Sequence, residues 1–412
     1  MTTTNSSDNL KLPEAWAGKY LWCFTLGVIL IAASGLVFFV GAPSKTEGLR
    51  FGMHSYLANF IYAISFGIGG MFFVLVSFLT RAGWSASIRR LAELISMTIP
   101  WVACLFAPIL LVVAFSKGSA LYEWNFANVE DIKESIVQAK VGYLNGPFFA
   151  TRAVICLAIW SLIVGYYYRL SRKQDETGDV RLTLDRQKWS AVLMMIFALT
   201  VTMASFDWIM SIDADWFSTI FGVYLFSASM FGFFALMIVS FMVLQRNGKL
   251  KDEVNIEHYH DMGKFLFGFT MFWSYIAFSQ FLLYWYGNIP EETAWFRVRI
   301  SDGWQYLSYG LIIVHFAIPF LGLLSRHVRR HRSGLFFFAC WALVVHWLDM
   351  TFLVMPNAGP FSMIMMFGHM LGGIGMFSLF IGFLLLRASD APLVATGDPR
   401  LHEALSYANP LL

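Results

Sequence analysis

Ten apolar runs, each near or above the roughly 20 residues that cross a bilayer as a helix, decide what this chain can fold into. They cover residues 20–40, 55–79, 92–115, 147–168, 189–210, 216–244, 264–286, 304–324, 334–355 and 362–386. In hydrocarbon a backbone must satisfy its own N–H and C=O groups, and a run of this length does so as a helix. The expectation is an all-α polytopic membrane protein: an N-terminal segment over 1–19, a ten-helix body over 20–386 and a tail over 387–412. The first run is too long for a signal-peptide core and lacks a small-residue cleavage site, so it reads as a retained helix. Charged residues make up 13% of the chain, about half of the ~25% usual in soluble domains, which argues against a soluble enzyme or a nucleic-acid binder. No connection is long enough to bury a core of its own.

Ten spans put both termini on one side. The N-terminal segment, the even-numbered connections and the tail carry 21 Lys or Arg against 7 in the odd-numbered connections, with Arg152 inside the fourth span. The positive-inside rule then places both termini in the cytoplasm, with the outer side toward the periplasm in a two-membrane bacterium. The hairpin Ser205–Gly222, with Asp207, Asp213 and Asp215 between two apolar runs, faces outward. Asp213 and Asp215 suit a solvated turn, whereas Asp207 is expected a full turn inside the fifth helix. On the same outer side, Val129–Val137, with Glu130, Asp131 and Glu134, suits a short amphipathic surface helix. Residues 287–303 read as a loop. Pro100, Pro108 and Pro319 should loosen the third and eighth helices. Trp84, Trp101, Trp189, Trp216, Trp285 and Trp304 fall near span ends, as interfacial anchors do. Glycines 67, 69, 70, 372, 373 and 375 suit close helix packing.

Cys23, Cys104, Cys156 and Cys340 stand singly in apolar runs, and no CxxC or CxxCH spacing exists. The chain therefore has no thiol set for an iron–sulfur cluster or c-type haem. What remains for chemistry is a set of ionisable residues inside the spans, which are costly there and kept for pairing or charge transfer. Glu93 lies near the inner end of the third span and His315 near the middle of the eighth. His346 and Asp349, three apart on one helix face, invite a carboxylate–imidazole pair. His369, Asp207 and Arg152 lie toward the outer side, with Asp213 in the hairpin. Three uses fit: polar residues satisfied by interhelical hydrogen bonds, a b-type haem between His346 and His369, or a proton relay or quinone-headgroup site. Ser274, Tyr275, Ser279, Gln280, Tyr284 and Tyr286 extend the polar set along the seventh span.

Four stretches carry a resemblance: Lys140–Arg152 at the start of the fourth span, Ser205–Gly222, Gln280–Thr293 at the end of the seventh, and His315–Phe320 continuing to Arg326. Together they resemble the polysulfide-reductase NrfD-like membrane subunits, in the branch found in bacterial alternative complex III, over residues 15–390. The resemblance implies two four-helix bundles, helices 2–5 and 6–9, flanked by helices 1 and 10. It also implies a subunit of a quinol:electron-acceptor (cytochrome c) oxidoreductase. The implied partners are a homologous ActC-like membrane subunit, an iron–sulfur protein, a multihaem cytochrome c, small membrane subunits, lipid and in some cases a terminal oxidase. The chain itself is expected to hold no metal and no redox centre, with quinone or quinol its only candidate ligand. The reading is a proton path through Asp207, His346, Asp349, His369, His315 and Glu93. A second quinone site, a secondary transporter and a structural scaffold are its rivals.

Overall fold

The computed structural model describes residues 9–116, 120–125 and 135–408. No β-strand occurs among them. Ten helices are long and apolar enough to cross a membrane: α1 Glu14–Gly41, α2 Lys45–Leu79, α3 Gly83–Phe115, α4 Gly146–Thr177, α5 Arg181–Ile212, α6 Phe221–Arg246, α7 Ile256–Gly287, α8 Gln305–Leu324, α9 Arg332–Ala358 and α10 Met363–Ser389. The chain is an all-α, multi-pass membrane protein.

Helices α2–α5 close one ring of neighbours, α2 on α3, α3 on α4, α4 on α5 and α5 on α2. Helices α6–α9 close a second in the same way, and the rings meet where α2 packs on α6 and α9 and α5 packs on α6. Helices α1 and α10 pair with one another and lie against α2. Helices α2 and α6 are therefore enclosed on all sides, and their small residues allow it. A Cβ on Gly69 of α2 would sit 2.8 Å from the Ser229 carbonyl of α6. One on Gly375 of α10 would sit 3.0 Å from the Gly27 carbonyl of α1. Two backbones approach this closely only without side chains between them.

Several local features depart from the sequence expectation. Helix α6 begins at Phe221 rather than 216, and 213–220 is irregular. Helix α5 is α-helical only to Trp208 and tightens to a 3₁₀ turn over Met210–Ile212, so Asp207 sits in its last turn and not deep inside it. Residues Pro290–Arg299 form a helix, with Pro at the first position and two acidic residues in the first turn, a sequence that starts helices well. Of the surface helix, Ser135–Lys140 is present; Glu130, Asp131 and Glu134 lie outside the described residues. Trp216 and Trp304 are buried rather than interfacial. Trp216 stacks on Trp295 at 4.5 Å between centroids, and Trp304 donates to the Gly359 carbonyl at 2.9 Å.

The prolines act as their chemistry requires. Helix α3 is built of three pieces, Ala86–Ser96, Ile99–Cys104 and Ala107–Phe115, with Pro100 and Pro108 near the start of the second and third. Tyr56 caps the Leu105 carbonyl freed at the second break, at 2.7 Å. In α8 a π-helical segment, Ile312–Ala317, precedes Pro319, and Trp341 takes its Val314 carbonyl at 2.8 Å.

The segments before α1 and after α10 meet at one end of the molecule, where the Leu393 N–H donates to the Leu10 carbonyl at 2.7 Å. From there the tail crosses both bundles. Gly397 N–H bonds Asp175, Asp398 pairs with Arg89, and Tyr407 donates to Asp261 at 2.7 Å. The opposite end carries the hairpin and is called the hairpin face below.

Candidate functional site

Arg152 and Asp207 meet at the hairpin face. Asn145 accepts the Phe148 N–H and so caps the start of α4, which turns Arg152 toward α5. The guanidinium grips Asp207 through two hydrogen bonds, Nε to Oδ2 at 2.7 Å and Nη2 to Oδ1 at 3.0 Å, and gives a third to the Tyr143 carbonyl at 2.9 Å. It also lies over the Tyr143 and Phe148 rings, 3.8 and 4.3 Å from their centroids. This pair is saturated, which is how a buried charge is kept at tolerable cost.

Asp349 of α9 differs. It is fully buried and accepts from two neutral donors, Tyr224 Oη of α6 at 2.6 Å and Trp273 Nε1 of α7 at 3.1 Å. Among the described residues it has no cationic partner, whereas the other buried carboxylates, Glu93, Asp207, Asp261 and Asp398, each have one. The indole of Trp273 also stacks on His315, 3.5 Å between centroids, and Phe231 closes the far side at 4.4 Å. Neither ring nitrogen of His315 meets a partner among the described residues.

His346 does not pair with Asp349, contrary to the expectation from their spacing. A shared helix face sets a common direction, but here Asp349 turns to α6 and α7 while His346 turns to α2. His346 Nε2 meets Ser65 Oγ at 2.7 Å. The single hydroxyl proton of Ser65 goes to the Tyr62 carbonyl at 2.7 Å, so His346 is the donor and its Nδ1 carries the lone pair, with no partner among the described residues. The same logic assigns His369. Thr351 donates to the Trp347 carbonyl and receives the His369 Nε2 proton at 2.9 Å, and Ser55 then donates to His369 Nδ1 at 2.8 Å. Both His369 ring nitrogens are thus engaged in hydrogen bonds. Asn59 completes this network, accepting from Trp347 at 2.8 Å and donating to the His369 carbonyl at 3.2 Å.

Glu93 stands apart. It is held by Arg90 at 3.0 Å and faces Arg186 at 3.9 Å near the end that bears the termini, in the other bundle from His315 and His346. Arg90 in turn bonds Asp175 at 2.6 Å. Glu93 belongs to an ion-pair cluster, and the structure does not join it to the histidines.

Asp213, half-buried in the hairpin, lines one cleft with Asn357, whose Oδ1 accepts from Arg299 at 3.0 Å. Burial pushes the Asp213 carboxyl above its ordinary value, against the pull of Arg299. Burial likewise brings the Arg299 guanidinium down to about 9. Asp215 is exposed, as a turn residue should be.

No protein-family model and no curated protein matches this chain. What the site can do follows from its own geometry. Three of the four stretches singled out in the sequence converge at the hairpin face: Lys140 Nζ donates to the Ala214 carbonyl at 2.6 Å, and Tyr284 Oη donates to the Phe217 carbonyl. Behind them lie buried imidazoles and a carboxylate without a counter-charge among the described residues, groups that take up and release protons. Sequence reasoning missed Ser65, Tyr224, Trp273, His54 and Arg299. The signal for the first was available: Ser55, Asn59, Tyr62 and Ser65 recur every three or four residues on α2, a polar stripe inside an apolar run.

Proposed function

We propose that this chain is the ActF-type membrane subunit of a bacterial alternative complex III and conducts protons coupled to quinol oxidation by its partners. The carrying observation is Asp349, a buried carboxylate within a span that lacks a counter-charge among the described residues and touches the His315 environment through Trp273. An ionised carboxylate so placed costs several kcal/mol, and a group that exchanges protons is the usual reason to keep one. On this reading Asp349, His315 and His346 form the interior of the path and His369 its branch toward α10. Glu93 serves stability instead. The partners are an ActC-like membrane subunit, an iron–sulfur protein and a multihaem cytochrome c, in the inner membrane with both termini cytoplasmic.

The test is quinol-driven acidification by the reconstituted complex carrying Asp349→Asn. The reading expects a strongly reduced proton yield with an unchanged Michaelis constant for quinol. An unchanged yield overturns it, and so does purification of the native chain without an iron–sulfur or multihaem partner.

One observation favours a second reading, a quinone-headgroup site. A groove of about 330 Å³ between α1, α2 and α10 is lined mainly by apolar side chains, among them Phe38, Phe39 and Met53, and reaches Ser34, Ser55 and Asn59 beside His369. A many-fold rise in the quinol Michaelis constant on His369→Gln, with Asp349→Asn silent, selects it.

A further inference from the structure

A second cavity, about 300 Å³, opens at the hairpin face and is lined by Arg50, His54, Glu123, Asp213, Asp302 and Asn357, among others. His54 is the imidazole in it. Its Nδ1 lies 2.8 Å from the Arg50 carbonyl one turn earlier in α2. A carbonyl only accepts, so Nδ1 carries the proton and the Nε2 lone pair is left to the cleft. Among the described residues no protein group bonds Nε2.

The charges around the cleft come from four segments. Helix α2 brings Arg50, which bonds the Asn357 carbonyl at 2.8 Å and Glu123 at 3.4 Å. The hairpin brings Asp213, the segment before α8 brings Asp302, and Arg299 stands behind Asn357. Three carboxylates and two guanidiniums thus surround the imidazole. The next residue along α2, Ser55, bonds His369, so the cleft and the interior network share one helical turn.

We propose that His54 is the port through which the interior exchanges protons with the aqueous phase at the hairpin face. Hydronium in the cleft gives its proton to Nε2, breaking an O–H bond and forming an N–H bond, while Nδ1–H stays on the Arg50 carbonyl. Release reverses the step. The inference rests on the proton-path reading and adds to it the group that meets water.

The experiment uses the reconstituted complex and diethyl pyrocarbonate, which acylates accessible unprotonated imidazole. Peptide mapping of the full chain should find the adduct on His54, which is 2% exposed and lines the cleft, and not on His315, His346 or His369, which have no exposed surface and do not line it. Proton yield should fall as the His54 adduct accumulates and return when hydroxylamine removes it. His54→Gln should lower the yield about a hundredfold, the lower end for loss of a positioned proton-transfer group, with the quinol Michaelis constant unchanged. No adduct on His54, or full yield with His54 acylated, overturns the port. If Asp349→Asn abolishes the yield and His54→Gln leaves it intact, the port alone fails. If neither variant lowers the yield, the path reading fails with it.

Discussion

Ser65 holds His346 across the junction of the two bundles, 2.7 Å from hydroxyl to Nε2, and no other described residue bonds that ring. Ser65→Ala leaves a fully buried imidazole with no partner at either nitrogen. The expected loss is about 1–3 kcal/mol, the cost of an unsatisfied buried polar group. Thermal unfolding in detergent measures it, and Ser65→Thr, which keeps the hydroxyl, should recover most of it.

Arg152→Ala strips Asp207 of its guanidinium and leaves a buried carboxylate alone. Breaking a buried pair from one side costs about 3–5 kcal/mol, so this variant should be the least stable of those named here. Arg152→Lys should restore only part, because an ammonium cannot supply two parallel bonds. The pairing of Arg152→Ala with Asp207→Asn should be milder than Arg152→Ala by itself, which a double-mutant cycle reads directly.

Tyr224→Phe removes the shorter of the two hydrogen bonds on Asp349 and changes little else in volume. Hydrogen bonds to charged groups contribute about 1.5–3 kcal/mol, so the carboxylate form should become harder to reach. Proton yield in vesicles should fall with Tyr224→Phe, though less than with Asp349→Asn. Equal yields for Tyr224→Phe and wild type would remove Tyr224 from the path.

At the hairpin face the Asp213 carboxyl lies above its ordinary 3.8, so it binds its proton more tightly in the folded chain than in the unfolded one. Its contribution to stability is then complete below about 4 and is lost as pH rises through the folded value. Unfolding midpoints across the weakly acid range should show that loss in wild type. Asp213→Asn, neutral at every pH, should flatten it.

Gly232 of α6 lies against His346, where an added Cβ would come within 2.8 Å of Nε2. Gly232→Ala should push the imidazole off Ser65 and destabilise the protein by about 1–3 kcal/mol, as overpacking in a tight core does. A crystal or cryo-electron microscopy structure of the variant should show the ring displaced. An undisturbed ring would mean that α6 yields instead.

Reading along the sequence finds the spans because twenty apolar residues in a row have one solution in lipid, and all ten runs lie within helices of the structure apart from a few end residues. It misplaced the start of α6, because Trp216 and Phe217 are as apolar as a helix needs while the chain at 213–220 is spent on the turn. It missed the helix Pro290–Arg299, whose charged face resembles a loop. The site was harder. His346 and Asp349 were visible as intramembrane polar residues, but their partners, Ser65, Tyr224 and Trp273, lie 281, 125 and 76 residues away. Spacing says which residues share a face and is silent about what that face meets. Glu93 looked like a member of the same set until Arg90 and Arg186 were seen to enclose it.

The pairing of α1 with α10 sets a timetable for the making of this protein. Helix α1 leaves the ribosome before α2–α10, yet the surface that receives Gly375 stays without its partner until Met363–Ser389 has been synthesised and inserted. More than 300 residues are therefore synthesised before α1 gains its main neighbour, and until then it keeps only its smaller contact with α2. A chain stopped before α10 leaves one side of α2 bare and α1 without its main neighbour. Such a fragment is the form that quality-control proteases should meet first.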